Sequence, residues 1–227
     1  MFGAFFYVRL AVHVLSAKKN SRMEESMKER KIDTRKLVMY GFMGALAYVL
    51  MLIHLPFKYL GFLELEFSDI PAIVVSFAYG PVGGVVVEVI KNAIKALTAS
   101  TTGGVGELAN LFVSIAYVVP SALIFRKWKG KEMGRNVIAG LAGTGCMMAM
   151  GIVINYFVTV PLYAKLFGGM EAVIGACAAT VPAINSVATV VVLGITPFNL
   201  VKGIIISIVG ILVYQSTKQI FKTEKTL

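Results

Sequence analysis

The sequence predicts an all-α integral membrane protein, a compact six-helix transmembrane bundle with both termini cytoplasmic. Three observations carry that prediction. Of the 227 residues, 57% are hydrophobic and 15% charged, with a mean hydropathy of +0.79; soluble domains are roughly 25% charged. The apolar residues gather into runs near 37–53, 70–97, 107–125, 136–163 and 187–214, and about 20 such residues make a membrane-spanning helix. Most of the 22 Lys and Arg stand in blocks beside these runs, as they do in cytoplasmic loops.

Taken in order, the chain divides into a lead-in over 1–34, a helical domain over 35–222 and a short tail over 223–227. The opening "MFGAFFYVRLAVHVLSAKKN" is apolar only briefly, is broken by Arg9 and His13 and lacks a basic start, so it makes a poor signal peptide. It reads as a short interfacial helix, as a disordered segment or as residues ahead of a start at Met23, and no function is assigned to it. The first span follows at 37–53. The next run is interrupted by Gly80-Pro81, with Gly83-Gly84 just beyond, and this punctuation ends helices. Read as a single span, it would leave Arg126, Lys127, Lys129, Lys131 and Arg135 on the side opposite the basic N-terminus. Two shorter helices, near 68–79 and 82–97, bring that block and Lys218, Lys222 and Lys225 to the same side as the N-terminus. That arrangement satisfies the positive-inside rule. The outer segment 54–69 is then long, aromatic and acidic, while 162–186 is long and only weakly polar and is expected to pack on the protein. Pro197 suits the first turn of a last helix near 197–214, with Thr196 as its cap.

Several function classes fall away. The net charge of +10 is distributed as loop blocks, which fits a lipid bilayer with anionic headgroups and gives no nucleic-acid reading. Cys146 and Cys177 form no C-x-x-C, and His13 and His54 have no metal-ligand spacing. No nucleotide-binding loop, zinc-protease helix or nucleophile elbow is present, so the chain is expected to be no enzyme and not its own ATPase.

Polar residues inside apolar runs are the better guide, because hydrocarbon penalises them. Glu88, Lys91, Asn92 and Lys95 share a helix at spacings of three and four and can satisfy one another. Glu107 and Asn110 lie one turn apart at the outer end of the next helix. Asn155, Tyr156 and Thr159 follow in the fifth, and Asn199 and Lys202 share one face of the sixth. Lys202 has two readings: it pairs with a carboxylate or snorkels outward, or it faces a pocket with Asn155 and Asn199. Two amides and an ammonium would offer donors and acceptors to an uncharged, carbonyl-rich planar ligand, with aromatic residues of the first loop stacked on it. Gly41, Gly44 and Ala45 form a small-residue face on the first helix, and Ala139, Gly143, Met147 and Gly151 form another; such faces admit close helix contact.

Four segments, "EFSDIPAIVVSFAYGPVGGVVVEVIKNAIKAL", "TGGVGELANLFV", "NYFVTVPLY" and "TPFNLVKG", occur in an order that closely resembles the riboflavin-specific substrate-binding (S) component of energy-coupling factor (ECF) vitamin transporters. The resemblance covers roughly 36–215. It implies a multi-pass protein of a prokaryotic cell membrane with six helices and an outward pocket roofed by the first loop. It also implies energy supplied by a T subunit and two ATPase subunits. Ring-binding groups would fall on Asn155, Asn199 and Lys202, with Leu65 and Phe67 in the roof. Glu107, Asn110, Tyr156 and Thr159 are the further ligand candidates. Gly41, Gly44 and Ala45 stand where such proteins present a small-residue face to the T subunit. Riboflavin is then substrate and not cofactor, with FMN a second possible ligand. The alternatives are an S component for another vitamin, a small self-sufficient channel or secondary transporter, and a membrane enzyme acting on lipid. The channel or transporter reading is weakened by a single Gly/Pro break with no matching half, and the enzyme reading by the missing catalytic constellations.

Overall fold

A computed structural model describes residues 34–53 and 58–223. Met1–Val38 and Met39–Leu227 separate as two units. Of the first, only Thr34–Val38 are described, as the exposed first turn of helix α1 (Thr34–Leu52). The expectations placed on residues 1–33, on His54 and on the tail beyond Thr223 lie outside the described residues.

Gly80 and Pro81 divide the second apolar run as the sequence demands. Helix α2 (Asp69–Tyr79) ends at Gly80, whose φ of 111° favours glycine. Helix α3 (Pro81–Thr98) starts at once, with proline in its first position, where a missing N–H costs nothing. The carbonyls left open at the end of α2 are met from a distance: Arg126 Nη1 donates to Ala78 O at 3.1 Å and Phe77 O at 3.4 Å. That arginine closes helix α4 (Val105–Lys127).

Beyond α4 the structure departs from the expected helix ends. Helix α5 runs unbroken over Glu132–Leu166, and a short helix α6 (Met170–Thr180) follows in the segment expected to be a packed outer loop. The last helix, α7, begins at Val187 and continues through Val190–Ile195 to Thr223. Seven helical stretches are therefore found among the described residues, where six were expected. Four of them, Thr34–Leu52, Val105–Lys127, Glu132–Leu166 and Val187–Phe221, are long and apolar enough to cross a membrane. No strand forms among the described residues, only a bridge between Tyr59 and Leu63.

Pro197 is the reason the start of the last helix was misplaced. It lies ten residues inside α7, and Thr196 caps nothing; its Oγ1 donates back to Val191 O at 2.9 Å. A proline within an α-helix clashes with the carbonyl four residues earlier. Here the preceding turn, Val190–Ile195, is a π-helix, in which Thr196 N–H reaches Val191 O five residues back. That wider turn makes room for the ring. The same device stands in α5: the π turn Asn155–Thr159 precedes Pro161, and Val160 N–H reaches Asn155 O. Neither proline ends its helix.

Within the second unit, α4 packs along α5 and α3, and α7 lies against α5 and α2. One apolar core joins Ala47, Ile73, Val87, Tyr117, Val118, Met147 and Ile206. A second, smaller core gathers Leu60, Val160, Tyr163, Cys177, Val190 and Ile195 under the residue 58–68 loop and α6. Close approach depends on missing side chains. A Cβ on Gly143 would meet Ser121 Oγ at 2.2 Å and Tyr117 O at 3.0 Å, and one on Gly84 would meet Val118 Cγ1 at 2.5 Å and Ala72 O at 2.9 Å. Ser121, held by its bond to Ala139 O at 2.7 Å, cannot move aside freely.

Candidate functional site

The polar residues singled out along the chain converge at one end of the second unit. The 58–68 loop contributes Phe62, Leu63, Glu64 and Glu66 to the wall of a cavity of about 110 Å³. Lys95 comes from the end of α3, Glu107 and Asn110 from the start of α4, Asn155, Thr159 and Tyr163 from α5, and Asn199 and Lys202 from α7. The basic block 126–135 lies at the other end of α4, roughly 30 Å away at 1.5 Å per residue.

Lys202 is 3% exposed, and its ammonium has two hydrogen-bond acceptors and a further carboxylate oxygen within ion-pair range. Nζ lies 2.8 Å from Glu66 Oε1, 3.2 Å from Asn110 Oδ1 and 3.1 Å from Asp69 Oδ2, the last within ion-pair range though not aligned as a hydrogen bond. The carboxylate-paired reading of Lys202 is thus present, and it does not exclude the pocket, because the same ammonium stands in the cavity wall.

From Asn110 the contacts close into a ring. Asn110 Nδ2 donates to Asn92 Oδ1 at 3.1 Å, Asn92 Nδ2 to Glu88 O at 2.9 Å, and Glu88 Oε2 lies 2.8 Å from Lys91 Nζ. Lys91 also bonds Asp69, which accepts Ser114 Oγ at 2.8 Å and lies beside Lys202. Glu88, Lys91 and Asn92 pair with one another as their spacing predicts, leaving only Glu88 Oε1 without a hydrogen-bond partner among the three. Lys95 does not join them; it turns to Glu64 at 3.2 Å, which also binds Lys58 at 2.8 Å. Burial opposes the Glu64 charge, but the Lys58 hydrogen bond and the charge of Lys95 outweigh it, so the carboxyl titrates below its ordinary value of 4.5.

The remaining candidates fall on either side of the wall. Asn155 Nδ2 donates to Gly151 O at 2.8 Å, and a Cβ on Gly151 would meet Asn199 Nδ2 at 2.3 Å, so glycine here lets the two amides approach. Glu107 Oε2 accepts Ser100 Oγ at 2.9 Å and Thr102 Oγ1 at 3.0 Å. Leu65, Phe67 and Tyr156 are not among the lining residues, and Phe67 and Tyr156 are exposed; from the loop it is Phe62 and Leu63 that face the cavity. Phe198 also lines it, with Tyr59 stacked on its ring at 6.0 Å. Of the small residues on α1, Gly41 and Ala45 are exposed, whereas Gly44 is packed under Ile90 of α3, where a Cβ would come within 2.5 Å. Gly44 is an internal contact and presents nothing outward.

Sequence reading missed Glu64 and Lys95 as wall residues, and it placed Glu66 in the roofing segment Leu65–Phe67 without a role. The signal was available for Glu66: a lysine held in hydrocarbon needs a carboxylate, and "EFSD" places two of them three residues apart.

Helices long and apolar enough to cross a membrane, with a polar cavity at one end, are the architecture of a membrane protein built to take a small ligand. Comparison with known proteins makes this specific. The chain belongs to the family described as ECF transporter, substrate-specific component, whose model matches residues 35–214. It is 32% identical to the riboflavin transporter FmnP of Bacillus subtilis over 200 residues, covering 86% of this chain and 98% of that one. It is likewise 32% identical to the riboflavin transporter RibU of Staphylococcus aureus over 205 residues, covering 89% and 98%. A solved structure, titled as the S component of a bacterial ECF transporter, superposes with a TM-score of 0.61 at 29% identity, covering 83% of this chain and 98% of that one. The chain is accordingly a transporter component and not an enzyme.

Proposed function

We propose that this chain captures riboflavin from outside the cell in the cavity between the 58–68 loop and α4, α5 and α7. It releases the vitamin inward when coupled to a T subunit and two ATPase subunits. The observation that carries the reading is the meeting of Asn155, Asn199 and Lys202 in one cavity wall, in a chain 32% identical to a riboflavin transporter along nearly that protein's whole length. Asn155 and Asn199 would pair with the carbonyl and imide edge of the flavin ring. Lys202 would give up Asn110 Oδ1, its one neutral acceptor, to meet a ring carbonyl, keeping both carboxylates. Glu107, Asn110 and Thr159 would take the hydroxylated side chain, while Phe62 and Phe198 supply apolar surface for the ring.

The membrane is the plasma membrane of a prokaryote, with both termini and the 126–135 block cytoplasmic, supported by the placing of that block at the end of α4 away from the cavity. Gly41 and Ala45, exposed on α1, form the face offered to the T subunit. Titration of the purified protein with riboflavin tests the function: saturable quenching of flavin fluorescence and a yellow preparation are expected. A colourless protein without tight riboflavin binding refutes the vitamin while leaving the S-component family intact. FMN in the same titration reports whether a phosphate on the side chain is tolerated.

A further inference from the structure

The buried ring of charge is unbalanced. Glu66, Asp69 and Glu88 supply three carboxyl groups, while Lys91 and Lys202 supply two ammonium groups, and all five residues are at most 3% exposed. An uncompensated charge at such a place costs several kcal/mol even after relaxation, and a buried acid usually avoids that cost by keeping its proton. We propose that the cluster binds one proton, held on Glu88, so that two carboxylates face two lysines within the membrane.

The three acids are not equivalent. Asp69 lies between Lys91 and Lys202: its Oδ1 accepts Lys91 and Ser114 Oγ, the latter at 2.8 Å, and its Oδ2, though without an aligned hydrogen bond, faces the Lys202 ammonium at 3.1 Å. Glu66 meets Lys202 through Oε1 at 2.8 Å, and its Oε2 accepts Ser68 N–H at 2.6 Å. In Glu88 both interactions fall on Oε2: Lys91 at 2.8 Å and Asn92 Nδ2 at 3.4 Å. Its Oε1 is buried with no hydrogen-bond partner among the described residues. A carboxylate oxygen stripped of water and of donors is the least stable place for negative charge in the ring and the natural seat for the proton.

The surroundings supply no other balancing charge. Helix α1 carries no acidic or basic side chain between residues 39 and 53. Helix α2 brings Asp69, and α4 brings Asn110 and Ser114 near the ring, with Glu107 a turn further out and bonded to Ser100 and Thr102. Helix α7 brings Lys202, and the loop brings Glu66. Lys58, Glu64 and Lys95 do carry a net positive charge, but they form a separate, partly exposed group at the cavity mouth, where water and salt screen it. Glu88 itself does not line the cavity, although Glu66 and Lys202 of the same ring do, so the proton sits on a residue outside the cavity wall.

Infrared spectroscopy of the full chain in lipid tests the proposal through the carbonyl stretch of a protonated carboxyl, which is well separated from that of a carboxylate. At neutral pH the wild type is expected to show this band, Glu88→Gln to lack it, and Asp69→Asn to lack it too, because Glu88 then yields its proton to restore balance. Glu88→Gln, being a neutral group of the same shape, is expected to unfold within about 3 °C of the wild type. Asp69→Asn removes a charge the ring needs and is expected to lower the midpoint by about 10 °C. A wild type without the band, a band that survives in Glu88→Gln, or a Glu88→Gln protein as destabilised as Asp69→Asn or unable to fold overturns the proposal.

Discussion

At the end of the bundle that carries Gly84, Gly140 and Gly143, the helices meet with almost no side chain between them. At the other end, four carboxyl groups, two lysines and three asparagines are buried. The far end is closed by absence and by rings: Phe77 stacks on Phe125 at 3.9 Å, Tyr214 packs edge-on against both, and Arg135 lies over Phe125 at 4.0 Å. In a membrane, where apolar surface gains little by leaving lipid, such close contact is what joins helices. The cavity end cannot close in that way, since its polar groups must satisfy one another and leave a space. A close-packed base and a polar mouth divide the work of one bundle.

That contrast can be broken from either side. The largest effect is expected from Lys202→Ala, which leaves Glu66 and Asp69 facing each other with one ammonium fewer. Removing one partner of a buried ion pair costs about 3–5 kcal/mol, read as a lower thermal midpoint in detergent, and ligand affinity should fall with it. At the closed end, Gly84→Ala should cost about 1–3 kcal/mol, because the new methyl meets Val118 Cγ1, Ser76 Cβ and the Ala72 carbonyl, each within 3 Å. Gly145→Ala on the same helix as Gly143 meets nothing within 4 Å and serves as its control. If both glycine variants unfold alike, backbone contact is not what closes that end. Asn199→Ala is expected to weaken riboflavin binding by about 1–3 kcal/mol while moving stability less, a separation visible by comparing titration with melting. An unchanged affinity would return Asn199 to packing against Gly151.

The smallest effect belongs to Glu64→Gln, at the partly exposed mouth: below about 1 kcal/mol and sensitive to salt. Its carboxyl titrates below the ordinary 4.5, so whatever it contributes is complete at neutral pH and is lost only as pH falls through that lowered value. A mouth that loosens between pH 8 and 6 would contradict this assignment.

How far the sequence could be read follows from which interactions are local. Gly80-Pro81 was decisive because both residues act on their own backbone, and the boundaries of α2 and α3 fell where expected. Glu88 with Lys91 and Asn92 was legible because three and four residues bring side chains together on any helix. Pro197 misled for a corresponding reason: its effect depends on whether the preceding turn is α or π, and nothing in "VVVLGI" announces the wider turn. The pairing of Lys202 with Glu66 spans 136 residues, and no periodicity reports it; the demand of a buried ammonium for a counter-charge points to a carboxylate without naming which. Phe62 and Leu63 were missed in favour of Leu65 and Phe67 because a two-residue choice within an irregular loop depends on its path over the cavity. Gly44 looked like part of an outward face because spacing alone cannot tell a glycine touched by Ile90 from one left open.

The π turns before Pro161 and Pro197 have a consequence of phase. Each places more residues in a turn than an α-helix would, and one residue is worth 100° of rotation. Val187 and its neighbours, which reach toward α6, are thereby set at a different angle from Asn199 and Lys202 than their distance along the chain would give. Asn155 stands in the same relation to Tyr163. Deleting one residue from Val190–Gly194 would leave the composition of the pocket intact while turning the first part of α7 by about a quarter of a circle against it. The chemistry facing the ligand is therefore written partly in residue identity and partly in count.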